Sequence, residues 1–126
     1  MAQASVLIVE DDPILAEAYG AVLARSEIGY KVVHDGEEAL RFAKSLRPDV
    51  LLLDLRMARL GGLEVLRRLR PKQTLPRTKV IIFTNYNVQA DIDEAFRLGA
   101  SHYLLKSFVT PRHLINIVRG GLPVAV

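Results

Sequence analysis

Four short apolar runs, each ending on residues that carry a charge or a hydroxyl, constrain the fold of this chain more than any other feature. Val6-Leu-Ile-Val9 stops at Glu10-Asp11-Asp12, Val50-Leu-Leu-Leu53 at Asp54, Val80-Ile-Ile-Phe83 at Thr84, and Tyr103-Leu-Leu105 at Lys106. Each is too short to span a membrane and too continuous for a strand with one wet face, so each reads as a buried parallel strand. The carboxyl ends of the strands in an open parallel sheet line one crevice, and ligands bind there. Carboxylates, a hydroxyl and an ammonium are therefore expected at one edge, a set suited to a divalent metal and a phosphoryl group.

Helical patterns alternate with these runs. Pro13 opens a helix to about Arg25, Gly29 breaks it, and Tyr30-Lys-Val-Val33 reads as a further strand. Asp35-Gly36 reads as a turn before a helix over Glu37–Lys44, which ends before Pro48. Gly61-Gly62 precede a helix from Leu63 to Arg70, stopped by Pro71. Another runs from about Val88 to Leu98, closed by Gly99, and Thr110-Pro111 opens a last one that ends at Gly120-Gly121. Five βα units in succession predict an α/β fold: a parallel sheet, helices on both faces, right-handed crossovers.

The 126 residues suit a single domain over 1–126, with a core of about 5–120; the apolar tail Leu122–Val126 either packs back or begins a linker. Half the residues are hydrophobic, which argues against disorder. No apolar stretch reaches the roughly 18 residues of a membrane span, and the N-terminus lacks signal-peptide character, so a cytoplasmic protein without membrane contact is expected. The absence of cysteine excludes disulfides, thiolate metal sites and cysteine nucleophiles. Net charge is +3, and Arg56, Arg59, Arg67, Arg68, Arg70, Lys72, Arg77 and Lys79 face a single acid, Glu64, within one segment. That segment is either a docking surface for an acidic partner or nucleic acid, or a solvated helix face and loop. Few aromatics accompany it and no base-reading motif is visible, so direct nucleic-acid contact is not expected. His34, His102 and His113 have no metal-ligand spacing and receive no role.

Asp11 and Asp54 end neighbouring strands, where two carboxylates repel unless a cation sits between them. Mg²⁺ suits such a place, since it binds through one or two carboxylates plus phosphate oxygens and keeps several waters. Residues alternate sides along an extended chain, so Glu10 is expected to act through a metal-bound water and Asp12 to cap the next helix. Lys106 needs a negative partner, either the Asp54 carboxylate or a phosphoryl oxygen. Thr84 can donate to a phosphoryl oxygen.

Taken in order, Val6-Leu-Ile-Val-Glu-Asp-Asp-Pro13, Asp35-Gly-Glu-Glu-Ala-Leu40, Pro48-Asp-Val-Leu-Leu-Leu-Asp54, Met57 with Gly62, Phe83-Thr84 and Gly99-Ala-Ser-His-Tyr-Leu-Leu-Lys106 resemble a response-regulator receiver domain (CheY-like) of two-component signalling. The resemblance runs along nearly the full length. It implies a flavodoxin-like, three-layer doubly wound five-stranded sheet of order 2-1-3-4-5. It also implies that Asp54 takes a phosphoryl group from a phosphohistidine of a sensor histidine kinase or phosphotransfer protein. Asp11, Asp54 and the backbone carbonyl of Arg56 would bind Mg²⁺, with Glu10 in support, while Lys106 and Thr84 would hold phosphoryl oxygens. Phosphorylation would draw Thr84 inward, turn Tyr103 in behind it, and remodel the surface of the fourth helix, fifth strand and fifth helix. Such a domain is a switch and not an enzyme: it catalyses only its own phosphorylation and dephosphorylation. A phosphorylation-linked homodimer and an unknown output domain or partner protein are compatible with it, and the chain reads as either a stand-alone receiver or an excised N-terminal domain.

Departures from the family pattern carry their own expectations. Ala58 stands where a proline is usual and loosens the loop. Ser107 stands where a proline is usual after the lysine, and the Lys106-Ser107 bond is expected to stay cis as in the family, although a cis non-proline bond costs roughly 2.5–4 kcal/mol. Asn85 replaces a small residue and narrows access. Arg56 and Tyr86 hold positions that tune water attack in the family; neither activates water well, so slow self-dephosphorylation is expected. Two other readings remain: an enzyme of the haloacid-dehalogenase type, which needs a second acid where this chain has Arg56, and a pseudo-receiver that binds partners without phosphorylation.

Overall fold

The computed structural model describes residues 5–123. Five parallel strands form one sheet: β1 (Val6–Val9), β2 (Tyr30–Val33), β3 (Val50–Leu53), β4 (Lys79–Thr84) and β5 (Ala100–Leu105), in the order β2-β1-β3-β4-β5. Five helices connect and follow them: α1 (Pro13–Arg25), α2 (Gly36–Leu46), α3 (Gly62–Leu69), α4 (Gln89–Arg97) and α5 (Pro111–Gly121). The expected order and α/β architecture are thus both present.

Alternation along the central strands explains the three layers. Leu7, Val9, Leu51, Leu53, Val80 and Ile82 pack with Ala39 and Ala43 of α2, Val65, Leu66 and Leu69 of α3, and Ala95 of α4. Val6, Ile8, Val50, Leu52, Ile81 and Phe83 point to the other face and meet Leu23 of α1 and Leu114, Ile115 and Val118 of α5. Both faces are apolar because both are covered, which is why these strands lack a polar alternation. Only the edges differ. β2 is half-exposed, and β5 starts at Ala100 and is buried there alone, so the run Tyr103–Leu105 is not the fully buried strand its composition suggests. It lies at the sheet edge, where one side lacks a neighbouring strand.

Local chemistry sets the helix ends. Asp12 caps α1, accepting from the amides of Ile14 and Leu15, as expected. Asp35 caps α2 by accepting from the Glu38 amide, so Asp35-Gly36 is a helix start rather than a free turn. α3 ends at Arg70 in the left-handed region, and the chain then adds one helical turn, Pro71–Thr74, before β4. Proline suits a first turn, so Pro71 stops one helix and starts another. α4 closes at Gly99, whose φ of +118° suits a residue without Cβ. Leu122 is half-buried against the second core layer, and the tail expectation for residues 124–126 lies outside the described residues.

The Lys106-Ser107 bond is trans, as is every peptide bond among the described residues, which overturns the cis expectation. Without a proline ring the cis penalty has nothing to lower it. The chain instead turns through a short 3₁₀ segment, Lys106–Phe108.

Leu51 is fully buried between β1, β4 and the helices of the first layer. Leu51→Ala is expected to destabilise the fold by about 2–5 kcal/mol, read as a lower urea midpoint with an unchanged slope.

Candidate functional site

The strand register brings the chemistry to one edge. Val9 pairs with Leu53, and Leu53 with Ile82, so Glu10, Asp54 and Phe83-Thr84 leave the sheet side by side. The Asp54 amide donates to the Val9 carbonyl at 3.2 Å and the Glu10 amide to the Val33 carbonyl at 3.1 Å, which extends the ladder one step past the strands. Thr84 pairs with Leu105, so Lys106 starts where β4 ends.

The centre is a buried ionic cluster. Lys106 Nζ donates to Asp54 Oδ2 at 3.0 Å and pairs directly with the Glu10 carboxylate. Glu10 and Asp54 are buried, whereas Asp11 is exposed. Oxygens of Glu10, Asp11 and Asp54 all lie within 4.8 Å of one another. Burial pushes the Glu10 carboxyl up to about 7 against the pull of Lys106. For Lys106, burial alone would lower the pKa, but its hydrogen bonds to Glu10 and Asp54 outweigh burial and raise it. Lys106 stays trans at Ser107 and still reaches Asp54, so the lysine geometry does not depend on a cis bond.

Thr84 is wholly buried, and its Oγ1 has no hydrogen-bond partner. A buried hydroxyl without a partner costs about 1–3 kcal/mol. It is the kind of group that a phosphoryl oxygen would satisfy. Three convergent carboxylates fit a hard divalent cation, and they are all oxygen donors.

Loops from three strands close around the cluster. The Arg56 amide donates to Asp54 Oδ1 at 3.3 Å. The Ala58 amide donates to Asp11 Oδ2 at 3.3 Å, a bond that proline at this position would lack, so Ala58 ties the loop as well as freeing it. The Arg56 guanidinium lies over the Tyr86 ring, 4.4 Å from its centroid, and pairs with Asp91 Oδ2 at 3.3 Å. Tyr103 is half-buried, and its hydroxyl donates to the Tyr86 carbonyl at 2.6 Å. Arg56, Tyr86, Asp91 and Tyr103 therefore form one strap from the loop after β3 to α4 and β5.

Sequence reasoning missed three contributors. His34 Nδ1 lies 3.1 Å from the Glu10 carbonyl, which only accepts, so that nitrogen carries the proton and anchors the loop after β1. Tyr19 stacks on Phe83 with ring centroids 4.9 Å apart and lines the closed base of the cluster with Glu10 and Asp54. Asp91 holds Arg56. None has a local signal, because each acts through a residue distant in the chain.

Gly62 begins α3 against the backbone of the loop after Asp54. A Cβ there would lie 2.4 Å from the Asp54 carbonyl oxygen and 2.9 Å from Leu55 Cα. Gly62→Ala is expected to shift the Asp54 loop and cost about 1–3 kcal/mol, measured by urea unfolding; an unchanged midpoint would show that the loop yields freely.

Comparison with known proteins adds an independent line. The family model described as "Response regulator receiver domain" matches residues 6–119. The DNA-binding response regulator MtrA of Mycolicibacterium smegmatis is 35% identical over 117 residues, covering 93% of this chain and 50% of that protein. The chain thus spans about half the length of that relative. Among solved structures, the chemotaxis protein CheY4 of Vibrio cholerae superposes with a TM-score of 0.84 at 26% identity, covering 96% of this chain and all of that one. The receiver domain of sensor histidine kinase PA1611 from Pseudomonas aeruginosa, solved with a magnesium ion in its active-site cleft, gives a TM-score of 0.82 at 29% identity, covering 94% and 97%. With its sheet order, its clustered carboxylates and this match along nearly its whole length, the chain belongs to the response-regulator receiver domains of two-component signalling.

Proposed function

We propose that this receiver domain is a phospho-accepting switch in which Asp54 takes a phosphoryl group from a phosphohistidine of a sensor histidine kinase or phosphotransfer protein. The observation that carries this reading is the Asp54 carboxylate, bound to Lys106 and converging with the acids Glu10 and Asp11, with the partnerless Thr84 hydroxyl at the neighbouring strand end. An Asp54 oxygen forms the new P–O bond as the P–N bond to the donor imidazole breaks, and the imidazole leaves with the electron pair. Lys106 neutralises charge on the transferred oxygens, and Thr84 donates to one of them; positioning and charge carry most of the catalysis in phosphoryl transfer. Asp11, Asp54 and the Arg56 backbone carbonyl, with Glu10 through water, would hold Mg²⁺, which when bound neutralises phosphoryl charge. The domain turns over no free substrate.

The exposed apolar side chains Ile14, in the first turn of α1, and Phe108, just after Lys106, are 77% and 79% exposed beside the cluster and suit the donor's contact face. The switch would run through Thr84 and Tyr103 to the surface of α4, β5 and α5. The output is a partner, a homodimer, or an effector domain outside this chain, such as the DNA-binding kind named for the mycobacterial relative. We read residues 1–126 as a single receiver unit in the cytoplasm; no described helix is long and apolar enough to cross a membrane.

Incubation with Mg²⁺ and acetyl phosphate is expected to add one phosphate by intact mass to the wild type and none to Asp54→Asn; a folded wild type that binds Mg²⁺ but gains no adduct would favour a pseudo-receiver. The Arg56–Tyr86–Asp91 strap supports slow decay of the adduct, as does the poor capacity of Arg56 and Tyr86 to activate water. Tyr86→Ala and Arg56→Asn are each expected to speed that decay severalfold, and an unchanged or slower decay would refute the strap's role.

A further inference from the structure

The pole opposite Asp54, where the strands begin, carries a second organised feature. A cavity of about 470 Å³ is lined by Arg47, Pro48, Asp49, Leu75, Pro76 and Arg77, together with Thr78. A second, of about 230 Å³, lies across the same Leu75–Thr78 loop and adds Lys72 and Lys79. Four cations therefore ring one loop, and Asp49 is the one acid in either lining. None of the four pairs with a carboxylate among the described residues.

Two of these cations are held in place. The Arg47 guanidinium donates to the Thr74 carbonyl at 3.4 Å, and Lys72 Nζ to the Arg97 carbonyl at 3.2 Å. The loop itself is pinned, since Thr78 Oγ1 donates to the Pro48 carbonyl at 2.5 Å and Thr74 Oγ1 to the Leu69 carbonyl at 2.6 Å. Arg47 follows the end of α2 and suits its helix dipole, but Arg77 sits in a loop and Lys79 at a strand start, so dipole compensation does not account for the excess.

We propose that this basic pole is a docking surface for an acidic protein segment, distinct from the phosphorylation edge. Several features favour a peptide over nucleic acid. The cations rim concave sites with proline and leucine walls, which suit carboxylates interleaved with apolar side chains. No helix or hairpin protrudes to enter a groove. The five helices that cover the sheet reach this pole by their C-termini, and the single turn Pro71–Thr74 opens on a proline, which has no amide to offer a phosphate. No aromatic side chain lines either cavity for base stacking.

The test uses the whole chain, labelled with ¹⁵N, titrated at about 0.1 M salt with a synthetic peptide of repeated Glu-Glu-Leu triplets and, separately, with a mixed-sequence DNA duplex. The peptide is expected to shift amides confined to residues 47–49, 72–79 and 99–101. Arg77→Gln, which breaks no hydrogen bond or ion pair among the described residues, and Arg47→Gln/Arg77→Gln should weaken binding progressively, the double variant by about tenfold. Arg41→Gln/Arg112→Gln, which removes the same charge elsewhere, should leave it unchanged. Equal weakening by that control would reduce the effect to net charge and overturn the proposal. Binding of the duplex alone would assign the pole to nucleic acid, and no binding of either probe would overturn it outright.

Discussion

One ammonium between two buried carboxylates governs the edge of this sheet. Glu10 and Asp54 end adjacent strands, β1 and β3, where unpaired they would repel at close range in a poorly solvated place. Lys106 comes from β5, two strands away from β3, and reaches across the end of β4 to meet both. Lys106 makes the burial of both carboxylates tolerable, and removing it would leave two buried acids with no cation between them. The cluster therefore ties three strand ends together and places the Asp54 carboxylate beside a cation.

The loops around the cluster use substitutions that a pattern-based reading treats as losses. Ser107 gives up the proline that favours a cis bond, yet the trans backbone delivers Lys106 to Asp54 through a 3₁₀ turn. Ala58 gives up a rigid ring and gains an amide that holds Asp11. Arg56, at a position tied in the family to water attack, becomes the middle of a strap that includes Tyr86 and Asp91. Such a strap has modest strength, because exposed ion pairs contribute about 0–1 kcal/mol. It begins at Arg56, whose amide donates to Asp54.

The parallel sheet also separates two kinds of chemistry. Each helix begins near the strand ends that bear the acids and finishes near the strand starts. Cations in last turns, such as Arg25, Lys44, Arg67, Arg68 and Arg119, follow that direction. The extra turn Pro71–Thr74 and the loop after it add Lys72, Arg77 and Lys79 to the same end. A net charge of only +3 therefore conceals an acidic cluster at one end of the strands and a group of cations at the other.

Much of this was legible in the chain. Apolar runs on Val6–Val9, Val50–Leu53 and Val80–Phe83 require a sheet covered on both faces, and the residues that end them require a charged crevice, since backbone direction alone puts parallel strand ends together. Asp12 as a cap and Gly99 as a stop follow from local conformational preference. Other features are decided only in three dimensions. Glu10 pairs with Lys106 across 96 positions of sequence, His34 anchors the Glu10 carbonyl, Asp91 finds Arg56, and Arg47 meets Arg77 at one cavity. Periodicity reports which face of an element is buried, but it carries no information about which distant side chain fills the space opposite. The sequence determined the layers, the strand ends and the charged edge; the packing of helices and loops onto the sheet decided the ion-pair partners, the trans path after Lys106 and the basic pole, because those depend on distances between residues that no local rule connects.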